Sequence, residues 1–212
     1  MSHAMSDREI DYQLALRSAA RNYNKTLVMA AVLAVAGALL IYASSFVADN
    51  VKEQLSQQNI TMPVAAALET QDQKDALLQY AGQTMENGAQ AKAFADHYIL
   101  VHMNTQSNNK TYSEVSGEYL KAVKDPNADP AQVKALGDLR QSLFMGNTLR
   151  GLLLNAYAFG TMGTIALYAG IASLIGATIL LVLSLLGLRH AKTAEDVSAQ
   201  PAAETPTVPQ TV

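Results

Sequence analysis

The sequence predicts an all-α protein in which two transmembrane helices flank an extracytoplasmic helical bundle, the second span continuing upward as a long apolar helix. Three observations predict it. Residues 151–188 are 38 in a row without a charge, and a bilayer's hydrocarbon core needs only about 20 helical residues to cross. A second uncharged stretch, of 23, covers residues 26–48. Between the two, apolar residues recur at spacings of three and four, the helical period, with no sustained strand alternation. Composition agrees: half of the 212 residues are apolar, yet the mean hydropathy is only +0.07. Strongly apolar blocks are therefore offset by hydrophilic ones, which excludes a single soluble domain.

At the N-terminus, Ser6 and Glu9 have capping-box spacing, and Tyr12, Leu16, Ala19 and Tyr23 follow at four, three and four. Residues 1–23 are read as a cytoplasmic segment whose helix leads into the first span. That span, 24–46, is a retained anchor rather than a signal peptide. A signal peptide's apolar region is normally about 7–15 residues after a short basic lead, with a small-x-small cleavage site. Here the lead is 25 residues, the apolar block is longer, and no A-x-A stands near Ala43 to Ala48. Tyr23 and Tyr42 mark the membrane–water boundaries, since 19 residues rise roughly 28 Å, close to the thickness of the hydrocarbon core. Tyr168 and Leu188 bracket the second span, 168–188, in the same way.

Residues 47–150 form the extracytoplasmic domain. Its first helix continues from the span through Val51 and Leu55 until Met62 and Pro63 stop it. A second covers 64–80. Asn87 with Gln90 caps a third, which carries Phe94, Tyr98 and Val101 and ends in the polar run 104–110. Thr111 and Glu114 form a capping box for a fourth, through Val115 and Tyr119, ended by Asp125-Pro126. Asp129-Pro130 combines an N-cap with proline at the first helical position and opens a helix through Val133, Leu136, Leu139 and Leu143 that runs on toward the second span. Residues 151–167 form a protruding apolar helix. After Arg189 the chain becomes rich in Ala, Pro, Thr, Glu and Gln, so 189–212 is read as a disordered cytoplasmic tail.

Orientation follows from the basic flanks. Arg17, Arg21 and Lys25 precede the uncharged stretch of the first span, and Arg189 and Lys192 follow the second span, so both termini are expected in the cytoplasm and residues 47–167 outside a bacterial plasma membrane. The net charge of −3 and the lack of a basic patch argue against a nucleic-acid partner. With no cysteine, the domain has no disulfide and no thiolate-bound metal, and must fold by burying apolar surface.

Nothing points to catalysis, a cofactor or a metal. His97 and His102 are five apart, about 140° around a helix, and face different ways. Glu69, Asp72 and Asp75 lack the ligand alternation and glycine turn of a calcium loop and read as a solvated helix face. Nucleophile-elbow, Walker-type, zincin and dinucleotide motifs are absent. No Asp, Glu, Lys, Arg or His lies within the uncharged stretches 26–48 and 151–188 that supply the spans, where such residues mark ion or proton pathways. An enzyme would need a polar pocket joining His97, Glu114 or Asp138.

Packing signals are stronger, because helices in lipid associate through close backbone approach. Ala30, Ala34 and Ala38 form one seam of small residues at spacing four. Ala169, Ser173 and Ala177 form another, beside Ala166 with Gly170 and Ala172 with Gly176. These seams serve either to pair the two spans of one molecule or to hold a membrane-protein partner or second copy. The segment 152–159, with Leu153, Tyr157 and Phe159, is apolar nearly all the way around. Such a helix must be covered on all sides, as the central helix of the bundle or in part by another chain. Gly160 and Gly163 allow a bend or close packing just above the boundary.

At Ala95-Asp-His-Tyr-Ile with His102, at Lys110-Thr-Tyr-Ser-Glu-Val-Ser116, and at Thr148-Leu-Arg-Gly-Leu-Leu-Leu-Asn-Ala-Tyr-Ala-Phe159, the chain resembles an uncharacterised actinobacterial family of two-span membrane proteins. The resemblance covers roughly residues 46–188. It implies an N-terminal anchor, an external helical region and a long apolar C-terminal helix, and it brings no activity, cofactor or catalytic residue. The expected function is a non-catalytic integral membrane accessory or scaffold protein that presents its external domain to a partner complex. The alternative is a membrane sensor or signalling adapter with a helical ligand-binding ectodomain.

Overall fold

Every regular element in the computed structural model, which describes residues 7–199 apart from the side chains at 7–9, 13, 16, 17, 19, 20 and 194–199, is helical. The all-α prediction holds. Two of the helices are long and apolar enough to cross a bilayer, over Arg21–Ser56 and Pro130–Thr193. The capping box expected at Ser6 and Glu9 lies outside the described residues.

Local chemistry sets the helix ends. α1 (Asp7–Ser56) stops earlier than Met62, because the chain turns through Asn59 at φ 51°, a left-handed conformation that asparagine tolerates better than most side chains. The helix expected over 64–80 is instead broken into a 3-10 turn at Ala65–Ala67, α2 (Gln71–Leu77) and a second 3-10 turn at Leu78–Tyr80. The break has a cause. Thr70 adopts an extended conformation, its hydroxyl accepts from the Gln73 backbone N–H, and the Gln73 side chain closes a capping box. α3 (Gly88–Phe94) opens as expected on the Asn87–Gln90 box. A π-helical turn, Ala95–Ile99, then joins it to α4 (Leu100–Ser107), which ends on left-handed Asn108 and Asn109. α5 (Tyr112–Lys124) starts at the Thr111–Glu114 box and ends at extended Asp125 before Pro126, the conformation proline imposes on its predecessor.

α6 (Pro130–Ala199) is one unbroken helix of 70 residues. Its first turn is capped by the Asp129 carboxylate, which accepts from Ala131 N–H at 3.0 Å. Gly160 and Gly163 do not interrupt it. It also runs past Arg189 to Ala199, where a disordered tail was expected; residues 190–199 contain no proline or glycine to stop the ladder. Residues 200–212 lie outside the described residues.

The chain forms two compact units. Unit 1 comprises residues up to Ile41 and from Tyr168 onward, unit 2 Tyr42–Leu167. The division falls at Tyr42 and Tyr168. Unit 2 has two buried clusters. The larger joins Val51, Leu55, Met62, Leu68, Leu77, Met85, Ala91, Ala95 and Leu153, and the smaller Met103, Val115 and Leu143. Three backbone hydrogen bonds pin residues 60–62 to 82–85: Met62 N–H to Gln83 O, Gly82 N–H to Met62 O and Met85 N–H to Ile60 O, at 2.8, 3.2 and 2.9 Å. They fix Met62 and Met85, both essentially without exposure, where each buried side chain stabilises by about 1.5–3 kcal/mol.

Candidate interaction surface

In unit 1, α1 and α6 pack through their smallest residues and expose their largest. Gly37 and Gly170 face each other so closely that a Cβ built on either would lie 2.9 Å from the other's carbonyl oxygen. The Ser173 hydroxyl donates to Leu33 O at 2.8 Å, and the Ser184 hydroxyl donates to Tyr23 O. Of the positions expected in the seams, Ala30 and Ala177 are buried, and Ala34 and Ser173 half-buried. Ala38 and Ala169 are exposed and do not belong there. The spacing explains the correction: buried positions Gly170, Ala177, Ser184 and Ala191 recur every seven residues, as do Ala30 and Gly37. A strict step of four drifts off that line, and a seven-residue repeat marks a left-handed helix pair. Outward stand Val28, Val32, Val35 and Leu39 on α1, and Ile171, Ile175, Ile179 and Leu186 on α6. Only 11% of the most apolar window of each helix is buried, unlike the core helix of a soluble protein, which hides its large side chains.

In unit 2 the segment 152–159 is covered by this chain on one side only, so it is not the enclosed central helix of the bundle that was the first of the two alternatives. Leu153 is 1% exposed and anchors the larger cluster, whereas Leu152 and Phe159 are 60% and 54% exposed. Gly88 lies against this segment. A Cβ there would fall 2.8 Å from the Tyr157 Cα and 3.0 Å from Ala156 O, so the start of α3 touches α6 backbone to backbone. Gly160 and Gly163 give close packing rather than a bend, Gly160 beside Gly88 and Gly163 against Val47. The Tyr157 ring is partly exposed, with the Lys92 ammonium 5.6 Å from its centroid.

Two open apolar grooves flank Leu152. One, of about 670 Å³, lies beside the ladder Phe94–Tyr98–His102, whose successive ring centroids are 4.9 and 4.4 Å apart. Phe144, Met145 and Leu149 of α6 line its other side. The second, of about 380 Å³, runs between α1 and α6 from Phe46 and Phe159 to Gln58 and Leu152.

The polar groups between α3 and α6 form a structural network. Arg150 donates from Nε to Ala95 O at 3.0 Å, in the π turn, and its guanidinium meets the Asp96 carboxylate at 3.1 Å. Lys92 donates to the same carboxylate. Burial pushes the Asp96 carboxyl up, but the hydrogen bonds from Lys92 and Arg150 outweigh it and hold the group below the usual carboxylate range. The bond to Asp96 in turn raises the Lys92 ammonium. The π turn gave no signal in the sequence, which has neither glycine nor proline there.

The residues considered for chemistry are held apart by separate partners. His97 Nδ1 bonds Asp72 at 2.7 Å, His102 Nδ1 bonds Tyr98 O at 2.7 Å, and Asp138 takes Lys134 at 2.6 Å. Glu114 accepts from the Thr111 backbone and hydroxyl, which lower its carboxyl below the usual range. Glu69 precedes α2 and its backbone N–H goes to Gln73, while on α2 Asp72 pairs with His97 and Asp75 accepts from Gln71 Nε2. Among the described residues no three His, Asp or Glu side chains converge as metal ligands. No protein-family model matches the chain, and neither does any curated protein or solved structure.

Proposed function

We propose that this chain is a non-catalytic accessory or scaffold subunit of a bacterial plasma membrane, with both termini in the cytoplasm and residues 47–167 outside. Two observations support the membrane reading. Small residues face inward and branched apolar residues outward in unit 1, the reverse of a soluble helix pair and the pattern of helices associating in lipid. Arg21 and Lys25 precede one apolar stretch, and Arg189 and Lys192 follow the other, so the basic flanks favour inward ends.

The observation that carries the partner reading is the exposed apolar face of unit 2, where Phe144 and Met145 are 53% and 60% exposed beside an open aromatic-lined groove. Contiguous apolar surface of this kind marks protein contact sites. The partner is a membrane-associated protein or a second copy of the chain. Phe144→Asp with Met145→Asp should abolish co-purification after gentle detergent extraction while leaving the melting temperature of the extracted chain within a few degrees. Unchanged co-purification, or no companion in either case, refutes the reading. Because the chain has no cysteine, Lys110→Cys and Lys192→Cys test the topology directly. A membrane-impermeant maleimide should label the first in intact cells and the second only after permeabilisation.

A further inference from the structure

We infer that the groove between α1 and α6 in unit 2 is a lipid site that takes a single acyl chain from the surrounding bilayer; this rests on the proposal that unit 2 stands at the membrane's outer face. The groove holds about 380 Å³, within the range of small-molecule sites, which are mostly apolar with a few placed polar groups. Its walls are Val51 and Leu55 on one helix and Leu152, Leu153 and Ala156 on the other. Not one ionisable side chain lines it. The polar side chains in the lining are the carboxamides of Asn50 and Gln54 on α1 and of Gln58 in the turn after it, spaced by four and exposed, so they form a neutral rim toward water. A charged headgroup or an acidic or basic peptide would find no partner in this lining, whereas an uncharged hydrocarbon chain would leave no polar group desolvated and unpaired.

Continuity with lipid-type surface identifies the source. At one end the groove is bounded by Phe46 and Phe159, 61% and 54% exposed, and both residues still belong to the uncharged stretches 26–48 and 151–188. Exposed Tyr42 lies one turn before Phe46 on α1, and exposed Met162 one turn after Phe159 on α6. The apolar face therefore extends without a charged residue from the groove mouth to the ends of unit 2, at Tyr42 and Leu167. A chain that leaves the outer leaflet along this face meets no charged side chain of the protein on its way to the groove.

The test uses the full chain reconstituted in phosphatidylcholine vesicles that contain a phosphatidylcholine with a diazirine at the end of one acyl chain. After irradiation, peptide mapping should find adducts on residues 50–58 and 152–156. A chain end confined to the bilayer interior could reach only residues of unit 1, such as Val32 and Ile175. In Leu152→Lys and Phe159→Lys, both at exposed positions, adducts in the groove should fall to background while those on Val32 and Ile175 persist. Absence of groove adducts in the unaltered chain, or their survival in both variants, overturns the inference. If the adducts on Val32 and Ile175 are missing as well, the membrane reading itself has failed.

Discussion

Leu153 and Phe159 show how far six residues of helix, about one and two-thirds turns, can separate two apolar residues in role. Leu153 is 1% exposed among Leu55, Met85 and Ala91, and Phe159 is 54% exposed on the outer side of the same helix. Leu153→Asp would place a carboxylate where nothing can pair with it, and should destabilise the protein by about 4 kcal/mol or more. Phe159→Asp should change stability by about 1 kcal/mol or less. Thermal melting of the two variants extracted under the same conditions checks this, and equal losses would mean that the segment is enclosed after all. The sequence could not make this distinction, because a run such as Leu152-Leu153-Leu154 carries no polar residue to mark which side meets the core. The caps were legible for the opposite reason. Asn87 with Gln90 and Thr111 with Glu114 are local devices whose partners are three residues away. The Thr70–Gln73 box is of the same kind, but the apolar spacing across 64–80 conceals the break it makes.

At the level of elements, the helix pair of unit 1 rests on backbone proximity at Gly37 and Gly170. Gly37→Leu has no space without moving the partner backbone, and overpacking of this type costs about 1–3 kcal/mol. Ala38→Leu, at the next position and exposed, should be close to neutral. Melting of the two variants in the same detergent distinguishes them; equal behaviour would show that the pair is not held at Gly37. Reading small residues at spacing four found Ala30, Ala34, Ser173 and Ala177 but also brought in Ala38 and Ala169. The contact line advances by three and four alternately, and a single period misses that. The π turn at Ala95–Ile99 was illegible for a different reason. It is stabilised from outside its own segment, by Arg150 more than fifty residues away.

For the molecule as a whole, acid should loosen unit 2 through the Arg150–Asp96–Lys92 network that joins the π turn to α6. The Asp96 carboxyl is lowered on folding, so its contribution is fully present above the ordinary carboxylate pKa and is lost as pH falls through the lowered one. The Lys92 shift has the opposite sense: its contribution is complete below the ordinary lysine value and is lost as pH rises through the raised one. Melting temperature should therefore hold across neutral pH and fall in the range below pH ~4, and Asp96→Asn should flatten that acid limb while lowering the neutral plateau. An unaltered acid limb in the variant would show that other carboxylates govern it. That the chain is helical throughout its described residues, with two long apolar helices, was legible because residue spacing and charge are one-dimensional signals. How α2 to α5 pack was not, since that depends on contacts between residues far apart in sequence.

The seven-residue rhythm of small side chains in unit 1 also constrains how this protein can vary. Adding or deleting one residue between Gly170 and Ala191 would swing every later position by about 100° around the axis, turning Ser184 and Ala191 away from their neighbours and bringing branched side chains in. Natural relatives that keep the same pairing should therefore differ in length there by nothing or by whole multiples of seven, while loops such as the one around Asn127 remain free to grow.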